Sequence, residues 1–145
     1  WKDEGFQFAD ISVFIIKPIQ NKTGKTFQTD IPSILAAHLK IQFEEKGLTV
    51  VEETSNALDA LTVESELLVY AEGNAFKRWL APGAGKTQCT LKSKLINQSN
   101  ILVAEIVVAK EVGAGGLYSV GADEWILREV AADIADQVYK IITGK

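Results

Sequence analysis

Methionine is absent from this 145-residue chain, and cysteine and histidine occur once each. A single cysteine, Cys89, excludes an intramolecular disulfide. It says little about compartment, because disulfides are permitted rather than required outside the cytosol. A single histidine, His38, excludes a multi-histidine metal site, and any further ligands beside it and Cys89 would have to be carboxylates. No apolar run approaches the roughly 18 residues of a membrane span. A basic excess is missing too: 15 Lys and Arg stand against 19 Asp and Glu, for a net charge of −4. Such a chain is a poor match for nucleic acid bound through a broad basic surface. The opening, Trp1-Lys2-Asp3-Glu4, has neither a basic n-region nor an apolar h-region. Either a leader has been removed or the chain has been trimmed.

What is present reads as globular. Apolar residues make up 47% and charged residues 23% of the chain, which excludes a disordered polymer. The length suits one domain, residues 1–145, with a core that needs no metal or disulfide to hold it.

Periodicity orders the elements as β-α-β-β-β-β-α. Asp10–Gln20 is the first strand, with Ile11, Val13 and Ile15 on one face and Phe14 and Ile16 on the other. Apolar residues on both faces predict a central strand covered on both sides, with Pro18 near its end. Asn21–Thr29 is a polar loop. Asp30 is an N-cap and Pro32 fits the first turn of a helix. That helix carries Ile31, Ile34, Leu35, His38, Leu39 and Ile41 at helical spacing and stops at Gly47. Leu48–Glu52 is the second strand. Ser55–Ala60 is a turn or a short helical segment. The third strand lies within Leu61–Gly73 and is clearest from Leu67 to Glu72. Thr87–Asn97 alternates Cys89, Leu91, Ser93 and Leu95 against Gln88, Thr90, Lys92 and Lys94, as in an antiparallel sheet with one wet face. Asn97-Gln98-Ser99-Asn100 turns the chain into Ile101–Glu111. Gly113, Gly115, Gly116 and Gly121 mark a second glycine-rich loop. A last helix, about Asp123 to Ile142, shows an apolar stripe of Leu127, Val130, Ala131, Ile134, Val138, Ile141 and Ile142. The fold class is α+β, a mixed sheet with both helices on one face.

Few residue patterns carry chemistry. Gly83-Ala84-Gly85-Lys86-Thr87 looks like the end of a phosphate-binding loop, but Leu80 stands where the first glycine is needed. The segment after it alternates as a strand, whereas a phosphate loop opens a helix. A glycine-rich turn into a strand is the better reading. His38 lies on the apolar side of its helix, and Cys89 faces the core, so both are structural. There is no G-x-S-x-G nucleophile elbow. Glu64, Glu66 and Glu72 are spaced by even numbers and can share a sheet face. Acid–base work would need one of their pKa values raised; a solvated face suits Glu64 and Glu66 better.

The stretch from Tyr70 to Lys86 is the unusual part. It leaves a strand through Glu72-Gly73-Asn74, offers Phe76, Lys77, Arg78 and Trp79 together, and closes on Pro82, Gly83 and Gly85. Arg and Trp are favoured interface anchors, and a preceding carboxylate can pair with Arg78. The residues singled out for binding are Glu72, Asn74, Lys77, Arg78, Trp79, Gly83, Gly85 and Lys86. The alternative is that Phe76 and Trp79 cap the core.

YAEGNAFKRWLAPGAGKTQ, then LINQSNILVAE, then GAGGLY and an alanine-rich last helix, resemble the bacterial family called domain of unknown function 4410. The apolar first strand followed by D-I-P-x-x-L is similar too. The turn Asn97–Asn100 departs from the family's usual Asp and Thr-Gly turn, a change of loop geometry alone. The resemblance implies an exported protein or lipoprotein of the Gram-negative envelope with no established enzymatic activity. It implies a periplasmic location, with outer-membrane anchoring through a lipidated cysteine of the precursor. A more distant likeness, to N-terminal domains of Tol-type periplasmic proteins and curli-secretion-type lipoproteins, implies assembly or binding roles. The resulting expectation is a non-catalytic binding or assembly module with an envelope protein partner. No cofactor, metal or nucleic acid is expected, and a homo-oligomer is compatible. The alternatives are a small carboxylate-using hydrolase near Glu72, or a ring or filament subunit joined through sheet edges.

Overall fold

A computed structural model of the chain describes residues 1–11, 13–52, 59–71, 87–112 and 122–144. After a 3-10 turn at Phe8–Asp10 come β1 (Val13–Ile16), β2 (Gln20–Asn21), α1 (Ile31–Glu45), β3 (Thr49–Val51), β4 (Ala60–Ala71), β5 (Thr87–Ile96), β6 (Leu102–Val112) and α2 (Ala122–Thr143). One mixed sheet has the strand order β3-β1-β4-β5-β6, with β2 also paired to β4. β1 runs parallel to β3 and β4, and β5 and β6 add antiparallel. Both helices pack together on one sheet face, α1 over β1 and β3 and α2 over β5 and β6. This is the α+β class that the periodicity predicts.

The core forms where alternating sheet residues meet the two helical stripes. Phe14, Leu61, Val63, Leu67, Leu91 and Leu95 face Leu35, Leu39 and Phe43 of α1 and Ile126, Val130, Ile134 and Val138 of α2. Each such side chain contributes roughly 1.5–3 kcal/mol by leaving water. Phe14 and Phe43 meet edge to face at 5.4 Å, an arrangement favoured by the ring quadrupoles.

Helix α1 starts and stops as its sequence dictates. Asp30 accepts from the Ser33 amide at 3.2 Å and from the Ser33 hydroxyl at 2.8 Å. At its far end the Gly47 amide donates to the Glu44 carbonyl and the Leu48 amide to the Phe43 carbonyl. Gly47 has φ +81°, the left-handed value that this closing motif requires and that glycine reaches without strain.

Four expectations are corrected. The first strand does not run unbroken over Asp10–Gln20: Pro18 lacks an amide, and the chain regains β4 only at Gln20. That strand is central in the sheet but is not covered equally on both faces. Phe14 is buried, whereas Val13 and Ile15 stay half-buried. Ile41 is 49% exposed; the buried stripe of α1 is Ile31, Leu35, Leu39 and Phe43 at steps of four, and Ile41 falls off it. The third strand begins at Ala60 and is twelve residues long. It carries a bulge between Leu67 and Val69. Before the bulge odd-numbered residues face the core; after it, Tyr70 does. The segment Ser55–Ala60 lies largely outside the described residues.

Candidate functional site

The parallel strands β1, β3 and β4 end on the same side of the sheet. At that end Ala71 pairs with Gln88, and Thr87 pairs with Val112. The segments 72–86 and 113–121 are therefore anchored side by side on three neighbouring strand ends. The eight residues expected to bind, Glu72, Asn74, Lys77, Arg78, Trp79, Gly83, Gly85 and Lys86, all lie in 72–86, outside the described residues. Thr87 opens β5 directly after Lys86. A strand follows the glycine-rich turn where a phosphate loop would need a helix.

A cleft of about 720 Å³ opens where β1 and β3 stop, level with the middle of β4 rather than with its end at Ala71. It exists because β3 stops at Val51 while the chain of β1 continues past Pro18 into β2. Ile16, Pro18, Ile19, Val50 and Val51 supply an apolar floor, and Lys17, Asn21, Asp30, Ser33, Lys40 and Glu52 a polar rim. Crevices beyond the carboxyl ends of parallel strands are common ligand positions. Asn21 is not free to take a ligand through its amide. It donates to the Lys25 carbonyl at 2.8 Å and accepts from the Thr23 amide and hydroxyl, closing a turn completed by Gly24 at φ +77°. Sequence patterning does not show this cleft, because its signal is a short strand in register with a longer one.

The carboxylates considered for acid–base work are tied to lysines on the outer sheet face. Lys92 lies 3.3 Å and Lys94 3.9 Å from Glu66, and Lys17 lies 3.6 Å from Glu64. Glu64 and Glu66 do share a face, opposite Lys94 and Lys92 in the register. The bulge at Leu68 breaks the period-two argument that grouped Glu72 with them, and Glu72 is outside the described residues.

The helix layer adds a small groove of about 310 Å³ lined by His38 of α1 and by Glu124, Trp125 and Arg128 of α2. His38 is half-buried and lies beside the buried stripe of α1. Trp125 is 43% exposed. Its sequence signal was its position off the apolar stripe of α2. Cys89 is fully buried, and burial pushes its thiol up to about 12. Among the described residues, no group of three or more His, Cys, Asp or Glu side chains is placed to hold a metal ion. No described helix is long and apolar enough to cross a membrane.

A family model described as Domain of unknown function (DUF4410) matches residues 13–116. No curated protein matches the chain significantly. Among solved structures the chain is similar to PelC from Paraburkholderia phytofirmans, described as a dodecamer. The TM-score is 0.62 at 13% identity, over 91% of this chain and 95% of that one. A DUF330 protein from Xanthomonas campestris gives a TM-score of 0.62 at 13% identity, over 98% of this chain and 91% of that one. A hypothetical protein from Chlamydia trachomatis gives 0.54 at 9% identity, over 88% of this chain and 98% of that one. At such identities the likeness establishes a shared fold.

Proposed function

This chain belongs to the family described as Domain of unknown function (DUF4410), and we propose that it is a non-catalytic binding and assembly module of the bacterial envelope. It works on the periplasmic side, anchored at the outer membrane through a lipid on its precursor. The observation that supports this reading is that segments 72–86 and 113–121 depart from neighbouring strand ends, at Ala71, Thr87 and Val112, on one side of the sheet. Segment 72–86 joins two strands paired with each other, β4 and β5, so its two ends are fixed close together. Segment 72–86 holds Lys77, Arg78 and Trp79, residue types that dominate interface energetics, with Glu72 and Asn74 ahead of them and Gly83, Gly85 and Lys86 behind.

Self-assembly is the second reading, favoured by the fold shared with the PelC dodecamer. A hydrolase is supported less well, since the described carboxylates nearest Glu72 in the strand, Glu64 and Glu66, are engaged by lysines.

The test joins stability to capture. Arg78→Ala is expected to leave unfolding free energy within about 0.5 kcal/mol, as surface changes do. It is expected to weaken binding of an envelope partner by at least about 1 kcal/mol. A photocrosslinker at position 79 should capture that partner in intact envelopes, and one at exposed Lys40 should not. If Arg78→Ala unfolds the protein, or if crosslinking from 79 and 40 is the same, the loop is not the binding surface.

A further inference from the structure

Charge is segregated toward one end of the sheet. Segments 20–29 and 72–86 together hold five basic residues, Lys22, Lys25, Lys77, Arg78 and Lys86, and one carboxylate, Glu72. The other ten basic residues share the rest of the chain with eighteen acidic ones. Segment 113–121, which follows Val112 at the same end, carries no charge. Gln20 and Asn21 pair parallel with Glu66 and Leu67 of β4. The Lys22 amide then donates to the Leu67 carbonyl at 2.9 Å, and the Phe27 ring meets Tyr70 edge to face at 5.2 Å. The turn that carries Lys22 and Lys25 is thus fixed beside the last residues of β4, where segment 72–86 departs.

That turn holds its shape without its ammonium groups. Asn21 bonds the Lys25 carbonyl and the Thr23 amide and hydroxyl, and the Lys25 amide donates to the Thr23 hydroxyl at 3.1 Å. Lys17, Lys46, Lys92, Lys94, Lys110 and Lys140 each lie within 4 Å of a carboxylate. Lys22 and Lys25 are exposed and, among the described residues, belong to no ion pair. Asp30, the carboxylate nearest to them in the chain, accepts from Ser33 of α1 instead.

Unpaired cations gathered at one end of a molecule are matched by a surface of negative charge. We propose that this end seats on anionic phospholipid headgroups, with Lys22 and Lys25 as its fixed contacts. The proposal rests on the reading of segment 72–86 as the working surface, and places the partner of that segment at the membrane face. Two observations favour lipid over an acidic polypeptide. Phe76 and Trp79 bracket Lys77 and Arg78, and aromatic rings mixed with basic side chains suit the headgroup layer. The arm from Asp3 to Trp1 runs along β6 from Val103 to Glu105, toward this same end. An anchor ahead of Trp1 on the precursor then sets the membrane on the side to which the lysines point the charge.

Vesicle flotation tests this on the unacylated 145-residue chain. The chain should float with vesicles of phosphatidylcholine mixed with phosphatidylglycerol, not with phosphatidylcholine alone, and added salt should release it. Lys22→Gln combined with Lys25→Gln should weaken binding at least about tenfold, with the fold checked by circular dichroism. Lys40→Gln, at an exposed lysine of α1, should change binding by less than about twofold. An environment-sensitive dye on Thr26→Cys should shift to the blue on the anionic vesicles. The same dye on Ser99→Cys, in the turn at the opposite end of the sheet, should not; Cys89 is buried and stays unlabelled. Equal binding to both vesicles, an equal loss in Lys40→Gln, or equal dye shifts at 26 and 99 overturns the proposal. So does capture of an acidic polypeptide from position 26 in envelopes when no vesicle is bound. If vesicles are not bound but position 79 still crosslinks to an envelope protein, the lipid seat falls and the reading of segment 72–86 stands. If that crosslink is absent as well, both fall.

Discussion

Ser65 and Ser93 face each other across β4 and β5, fully inside the helix-covered side, with their hydroxyls 2.7 Å apart. Neither hydroxyl has water to turn to, so the two satisfy one another. Ser65→Ala is expected to destabilise by about 1–3 kcal/mol, because it strands the Ser93 hydroxyl. Changing both to Ala should recover most of that loss, since two apolar groups need no partner. Chemical denaturation of the two single variants and the double variant checks the non-additivity. Cys89 is a second buried group with a readable consequence. Its thiol is pushed up to about 12 by burial, so almost no thiolate exists near neutral pH. A thiol reagent should label it slowly in the native protein and rapidly in denaturant.

The two helices are tied by more than their apolar stripes. Asp136 of α2 bonds Lys140 at 2.8 Å one turn on and Lys46 at the end of α1 at 3.2 Å. Lys46 also lies 5.9 Å from the centre of the Tyr139 ring. These two lysines, Lys140 first, hold the Asp136 carboxyl below the usual carboxylate range. A depressed carboxylate stabilises the fold above its unfolded value, about 3.9, and loses that contribution as pH falls through the lower folded value. Asp136→Asn should therefore lower stability at neutral pH, and the gap from the unaltered protein should close in acid. With side chains more than a third exposed, the difference should be a few tenths of a kcal/mol. Thermal unfolding between pH 7 and pH 3 measures it.

For the whole molecule, the strand after Lys86 and the charges around the cleft bear on which ligands fit. A strand follows Lys86, and the cleft is open and faced by acidic as well as basic side chains. Triphosphates need a closed ring of amides at a helix start with a lysine above it. Calorimetry with ATP or GTP and magnesium should give no heat of binding. Micromolar binding lost in Lys86→Ala would overturn that expectation.

Local rules carried the elements. Asp30, Pro32 and Gly47 bound α1, Asn97–Asn100 turn one hairpin, and alternation sets the inner face of β5, because each depends on neighbours within a few residues. The order of the elements apart from the two-residue β2, and the α+β class, follow from those periods. Where local rules ran out, distant partners had decided. Pro18 broke the first strand, but only pairing with β4 shows the chain returning at Gln20. The bulge near Leu68 reverses which residues face inward, and no composition cue marks it. The cleft and the Ser65–Ser93 pair are juxtapositions of residues far apart in the chain. Their existence depends on strand lengths and register, which the packed sheet sets through burial and backbone pairing rather than through any local preference.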